Sequence, residues 1–343
     1  MASVSGRAGA RKGPPWLLPL AGYAISLACL LWVYWGFDWK TQLPRLASAD
    51  AHLVVVAIIA DLLVYVTQGW RWSTLLRPVA RSSVLRSTQA VYIGLFANEV
   101  LPFRTGELIR AYVQGKWCRI PFSVALSSVA VERLLDGIWL VLGFFLVAAF
   151  VRLPGYLVRG SQILALVLAL VAVALGVVMF RKHHAQAAVS RSRWSEMLRH
   201  VVEGLHAMGN ARTFYAAAAI SLLYLALQVV PIYALMRGYG LEAPLGAAAV
   251  VLVILRLGTI IPQAPGNVGA FQFFVVLGLR IFGVDKATAT GFATLLFVVV
   301  TVPLWLGGLI AVAIAGFKIR ELQREARSNL EPAAAGQPRG TGI

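Results

Sequence analysis

"FANEVLPFRTGELIRAY", residues 96–112, is the stretch on which the reading of this chain turns. Two acids, Glu99 and Glu107, and two arginines, Arg104 and Arg110, surround Pro102 and Gly106 between apolar flanks. A charge at the centre of a bilayer costs about 2.5–3.5 kcal/mol on insertion scales. Four such residues in one short stretch need partners, water or a purpose.

The rest of the chain is apolar: 59% of its 343 residues are hydrophobic and 13% are charged. Soluble domains carry about 25% charged residues. Apolar runs at 17–36, 52–70, 87–109, 122–151, 161–180, 213–236, 244–261, 267–282 and 288–316 are separated by basic loops. Several match a hydrocarbon core of about 30 Å. The expected fold is an all-α polytopic membrane protein with about six to eight transmembrane helices and one or two re-entrant or broken helices. Residues 1–16 form a cytoplasmic N-terminus, 17–317 the transmembrane domain and 318–343 a cytoplasmic, partly disordered tail.

The basic loops 71–86, 110–119 and 181–212 fix the expected topology. If run 87–109 crossed once, two basic loops would lie outside, against the positive-inside rule. A hairpin that reverses near Leu101–Pro102 keeps all three inside, and Pro disfavours continued helix there. Irregular backbone at that depth is tolerated only inside protein or beside an aqueous cavity. A second break, "LGTIIPQAPGNVGAFQFF" at 257–274, offers Gln263, Pro265, Gly266, Asn267 and Gly269 for a polar path. This segment is either re-entrant or two short spans. One broken segment per half is the pattern of inverted repeats around a midplane site. The 181–212 loop reads as a cytoplasmic amphipathic helix between the halves.

"SSVAVERLLDGIW", residues 127–139, puts Glu132, Arg133 and Asp136 inside an apolar run. Residues three and four apart share a helix face. One arginine cannot neutralise two carboxylates, so the hairpin is expected to dock here. Docking would match Glu99, Arg104, Glu107 and Arg110 with Glu132, Arg133 and Asp136. The plain alternative is an ionic clasp that only holds the hairpin. Asp61, deep in another run, would carry a proton or pair with Arg256 or Arg280, and "GWRW" at 69–72 reads as an interfacial belt with a snorkelling arginine.

Much else is excluded. The net charge of +17 sits in short loops, so nucleic acid is not an expected partner. Two cysteines, Cys29 and Cys118, make no disulfide scaffold, and His183–His184 lacks a companion for metal. No phosphate-binding loop, H-E-x-x-H or G-x-S-x-G motif occurs, so neither a catalytic residue nor a cofactor is expected.

The motifs "NEVLPFRTGELIR", "VERLLD" and "PGNVGAF", in this order, resemble the lysylphosphatidylglycerol synthase transmembrane region, also called the flippase-like or UPF0104 family. The matching positions are Asn98, Pro102, Arg104, Gly106, Glu107 and Arg110, then Glu132, Arg133 and Asp136, then Pro265, Gly266 and Gly269. The resemblance implies a flippase that moves an aminoacylated phospholipid between leaflets, here as a free-standing member without the aminoacyl-transferring domain. Many members carry an acid where Gln272 stands, so no carboxylate role transfers to that position.

The expected function is therefore a flippase of the cytoplasmic (inner) membrane, multi-pass with both termini cytoplasmic. It would move a phospholipid, aminoacyl-phospholipid, glycolipid or polyprenyl carrier. The expected translocation residues are Asn98, Glu99, Arg104, Glu107, Arg110, Glu132, Arg133 and Asp136. Arg104 and Arg110 would neutralise phosphate, and the acids would meet a cationic group or a proton. Partners would be lipids with an anionic or zwitterionic headgroup, a second copy of the chain, or a separate lipid-modifying enzyme. Two rivals remain: a membrane transferase using Glu132 or Asp136 as base, and a scaffold recruiting an enzyme through 181–212.

Overall fold

The computed structural model describes residues 17–101, 105–150, 155, 158–163, 165–167, 169–170, 211–258, 263–316, 321 and 324–325. Ten α-helices of nine or more residues are described: α1 (Leu17–Tyr34), α2 (Trp39–Ala47), α3 (Ala51–Leu76), α4 (Val84–Val100), α5 (Gly106–Cys118), α6 (Phe122–Phe150), α7 (Ala211–Gly238), α8 (Leu245–Gly258), α9 (Ala270–Arg280) and α10 (Lys286–Ala315). No strand occurs among the described residues. The amphipathic helix expected at 181–212 and the tail expected from 318 fall almost wholly outside them.

Side chains that satisfy orphan amides mark where helices begin. Asp50 accepts from the His52 N–H at 2.8 Å, Ser83 from Arg86 at 3.2 Å, and Asp285 from Thr288 at 2.9 Å. Glycine supplies the left-handed turn that ends α10, with Gly316 at φ 67°.

Helices α3, α7 and α10 are long and apolar enough to cross a membrane, and α1 with α2 make a fourth candidate, bent by 91°. The 29-residue α6 matches them in length but carries the three charges of "VERLLD". The remaining apolar runs fold differently. Run 87–109 is a helical hairpin of α4 and α5, and runs 244–261 and 267–282 make a second, of α8 and α9. With 14 and 11 residues, α8 and α9 reach about 21 and 17 Å, too short for a span.

The order long helix, hairpin, long helix thus occurs twice: α3, α4–α5, α6 and then α7, α8–α9, α10. The first helices of the two sets run antiparallel: the Asp50 N–H donates to the Gly238 carbonyl at 2.9 Å, and Arg71 to Ser221 Oγ at 3.2 Å. Each hairpin also leans on the last helix of the other set. Gln89 of α4 donates to the Ala311 carbonyl of α10 at 3.1 Å, while Val250, Val253 and Ile254 of α8 pack on Phe144 of α6. The two sets thus pack reciprocally.

Two expectations need correction. The basic segment 110–119 is not a loop. It is most of α5, and Arg110 is buried, because its charge has partners inside the bundle. Nor is "GWRW" an interfacial belt: α3 runs on to Leu76, so Arg71 and Trp72 are buried and only Trp70 faces outward.

Candidate functional site

The first hairpin is closed by backbone contact. A Cβ built on Gly106 would lie 1.8 Å from the Gly94 carbonyl oxygen, so only glycine lets α5 approach α4 this closely. Asn98 Oδ1 accepts from the Gly106 N–H at 2.8 Å, capping α5 from the end of α4. Pro102, Phe103 and Arg104 lie outside the described residues, so no position is given for Arg104.

Beyond that turn α5 meets α6 and α3, and six charges close into a ring. Glu107 binds Arg110 at 2.7 Å and Arg133 at 3.4 Å. Glu132 binds Arg110 at 2.9 Å and Arg71 at 3.0 Å. Asp136 pairs with Arg71 and, at 3.4 Å, with Arg133. Every acid has two arginines and every arginine two acids, so the ring is neutral.

That neutrality explains why it persists in an apolar bundle: a buried ion is tolerated when opposite charges lie against it. Aromatic rings cover two of the cations. Arg71 stands 4.8 Å from the centre of the Tyr224 ring, and Arg110 4.9 Å from that of Trp72.

The ring has an inside and an edge. The side chains of Arg71, Glu132 and Arg110 are 0%, 0% and 2% exposed, whereas those of Asp136, Glu107 and Arg133 are 20%, 30% and 41% exposed. Glu107 and Arg133 line a cavity of about 750 Å³ in the middle of the bundle.

The second hairpin forms another part of the wall. Its tip turns through Pro265–Asn267, with Gly266 at φ 74° and Asn267 at φ 53°. Gln263, Pro265, Gly266 and Asn267 all face the cavity. The tip is held from outside: Ser26 Oγ of α1 accepts from the Ala264 N–H at 2.9 Å. Gly269 does not line the cavity. It lies under α1, and its N–H donates to Gln272 Oε1 at 2.8 Å. An amide oxygen at 272 thereby does what a carboxylate oxygen would do at the start of α9.

Of the residues expected to meet, Glu107, Arg110, Glu132, Arg133 and Asp136 come together in the ring. Asn98 and Glu99 line the cavity away from it. Glu99 Oε2 accepts from Trp305 Nε1 at 3.2 Å, and a Cβ on Gly266 would stand 3.4 Å from it, so the two hairpin tips are in contact here.

Sequence reasoning missed Arg71 as the arginine the acids wanted. The signal was present: Asp61, Tyr65, Gln68 and Arg71 recur at helical spacing and mark one polar face of α3. Asp61 and Gln68 line the cavity with Tyr224, Gln228 and Arg256, whereas Arg280 lies exposed at the end of α9.

The family model described as the lysylphosphatidylglycerol synthase TM region matches residues 20–308. The glycosyltransferase AglD of Haloferax volcanii is 24% identical over 80% of this chain and 51% of its own length. A UPF0104 membrane protein of Methanocaldococcus jannaschii is 31% identical over 39% of this chain and 41% of its own length. The chain thus spans about half or less of these two relatives. A UPF0104 membrane protein of Methanothermobacter thermautotrophicus is 23% identical over 79% of this chain and 86% of its own length.

Proposed function

The chain belongs to the lysylphosphatidylglycerol synthase TM region family of membrane proteins, and on that premise we propose that it moves polar-headgroup lipids between leaflets through the central cavity. The observation that carries this reading is a cavity of about 750 Å³ whose wall mixes charged and amide side chains with apolar ones, inside a bundle that turns large apolar side chains outward. Leu63, Leu146 and Leu306 are among the large side chains turned outward. Small-molecule sites occupy about 300–1,000 Å³. A headgroup therefore fits inside while its acyl chains stay in lipid.

The division of labour follows the ring. Arg71, Glu132 and Arg110 hold the hairpin, so the phosphate role passes from Arg110 to Arg133, the arginine on the exposed edge. Its planar fork donates two hydrogen bonds to one oxyanion. Glu107 beside it meets hydroxyl or ammonium groups, and the amides of Asn98, Gln263 and Asn267 add hydrogen-bonding groups to the wall. Without a nucleotide-binding motif, transport runs on an ion gradient or downhill. The basic loops support cytoplasmic termini in the inner membrane.

The test is leaflet exchange of headgroup-labelled lipids in liposomes containing the purified chain, across phospholipid, aminoacyl-phospholipid, glycolipid and polyprenyl-phosphate probes. Exchange of at least one class above protein-free liposomes supports the reading, and none across the panel sinks it. A second reading is favoured by the likeness to the glycosyltransferase AglD: a transferase acting on a lipid-linked substrate. It predicts a new lipid species in the same liposomes by mass spectrometry, which transport alone never makes.

A further inference from the structure

Asp61 is an acid of the cavity wall that stands outside the ring, as does Glu99. Helix α3 carries it nearly three turns before Arg71, where its residue is 7% exposed and lines the cavity. Tyr65, one turn on, lies beside the carboxyl group. The second oxygen, Oδ2, is buried and has no hydrogen-bond partner. A carboxylate is an acceptor only, with room for about four bonds. Leaving one of its oxygens buried and unmatched is a standing cost.

The groups facing Asp61 do not remove that cost. Tyr65 on its own helix, Tyr92 on α4 and Tyr224 on α7 are phenols and carry no cation. Arg256 on α8 is the nearby cation. Its guanidinium donates to Tyr224 Oη at 3.2 Å and to Gln228 Oε1, and it makes no ion pair with Asp61 within 4.0 Å. Glu99, Glu107 and Arg133 belong to other parts of the cavity lining. Each ring acid has two arginines. Asp61 makes no ion pair with a described residue, and its Oδ2 is buried without a hydrogen-bond partner.

We infer that Asp61 Oδ2 is a binding site for a small monovalent cation, a proton or a sodium ion. A loaded Asp61 is neutral, which leaves Arg256 to meet an anionic headgroup. An empty Asp61 is anionic and opposes one. That last step rests on the lipid-transport reading, whereas the cation site stands on its own geometry.

The experiment uses the purified full chain in detergent and reads occupancy, not transport. Thermal unfolding midpoints are compared in sodium and choline chloride at equal ionic strength, and the carboxylic-acid absorption is recorded by infrared spectroscopy at neutral pH. Sodium binding predicts a midpoint several degrees higher in sodium, because a ligand that binds the folded state stabilises it. Proton binding predicts a carboxylic-acid band instead.

Either signature disappears in Asp61→Asn, which mimics the loaded state. Should that variant fail to fold, wild-type protein labelled with carbon-13 at the aspartate carboxyl reports the same band. An ionised Asp61 with no sodium effect overturns the proposal. Lipid exchange plays no part in the readout, so failure here and failure of the transport reading are separate outcomes.

Discussion

The two hairpins turn at Pro/Gly breaks beside one cavity, but they are held in place by different forces. The α4–α5 hairpin is fixed by charge: Glu107 and Arg110 enter a closed ring with α3 and α6. The α8–α9 hairpin is fixed by backbone fit, through the Ser26–Ala264 hydrogen bond and the Gln272 cap on Gly269. Charges can be placed in an apolar bundle where they close on themselves. A tip that must lie bare to a passing headgroup is better built from neutral amides and glycine, which need no counter-charge.

The sharpest break in that comparison is Glu132→Gln. It leaves Arg71 and Arg110 buried with one charge too few, and removing one partner of a buried pair typically costs about 3–5 kcal/mol. We expect a loss of that order in detergent unfolding, partly recovered by combining it with Arg71→Gln, since coupled sites are not additive. Recovery by distant stabilising substitutions alone would argue against a ring.

Next come the glycines. Gly106→Ala drives a methyl group into the Gly94 carbonyl, backbone that cannot step aside, and should cost about 1–3 kcal/mol. Gly258→Ala in the second hairpin meets the ring of Phe274 at 2.3 Å, a side chain able to turn. Its expected loss is about 1 kcal/mol, at the low end of overpacking costs. Equal losses would erase the distinction between a backbone-locked hairpin and a side-chain-cushioned one. Smaller still is Asn98→Ala, which removes the cap on α5 and should cost about 1 kcal/mol in the same unfolding measurement.

How much of this was legible in the sequence depends on distance along the chain. Both breaks were readable, because Pro102, Pro265 and Gly266 interrupt helices by local chemistry. The contacts of Glu107 with Arg110 and of Arg133 with Asp136 were readable too, since each pair lies three residues apart.

The third arginine was not, because its partners Glu132 and Asp136 lie 61 and 65 residues away. Arg71 also sits beside tryptophans and close to a cluster of basic residues, the usual dress of a membrane interface. The same rule misassigned Arg110, which flanks an apolar run in sequence and yet is buried against Glu107 and Glu132. Charge count was the better guide: three acids with two local arginines demand a third from elsewhere.

Arg133→Gln gives the smallest structural effect and the most direct test. Arg133 is 41% exposed and its two contacts are 3.4 Å long. Such partly solvated pairs contribute about 0–1 kcal/mol, so the variant should unfold within that margin of wild type. The measurement is leaflet exchange of labelled lipid by Arg133→Gln and wild type, reconstituted side by side at matched protein content. A folded variant with exchange reduced at least about tenfold, a change of about 1.4 kcal/mol in the barrier, is the result this account predicts. A folded variant that exchanges lipid at the wild-type rate would contradict it and leave the whole ring, edge included, as a clasp.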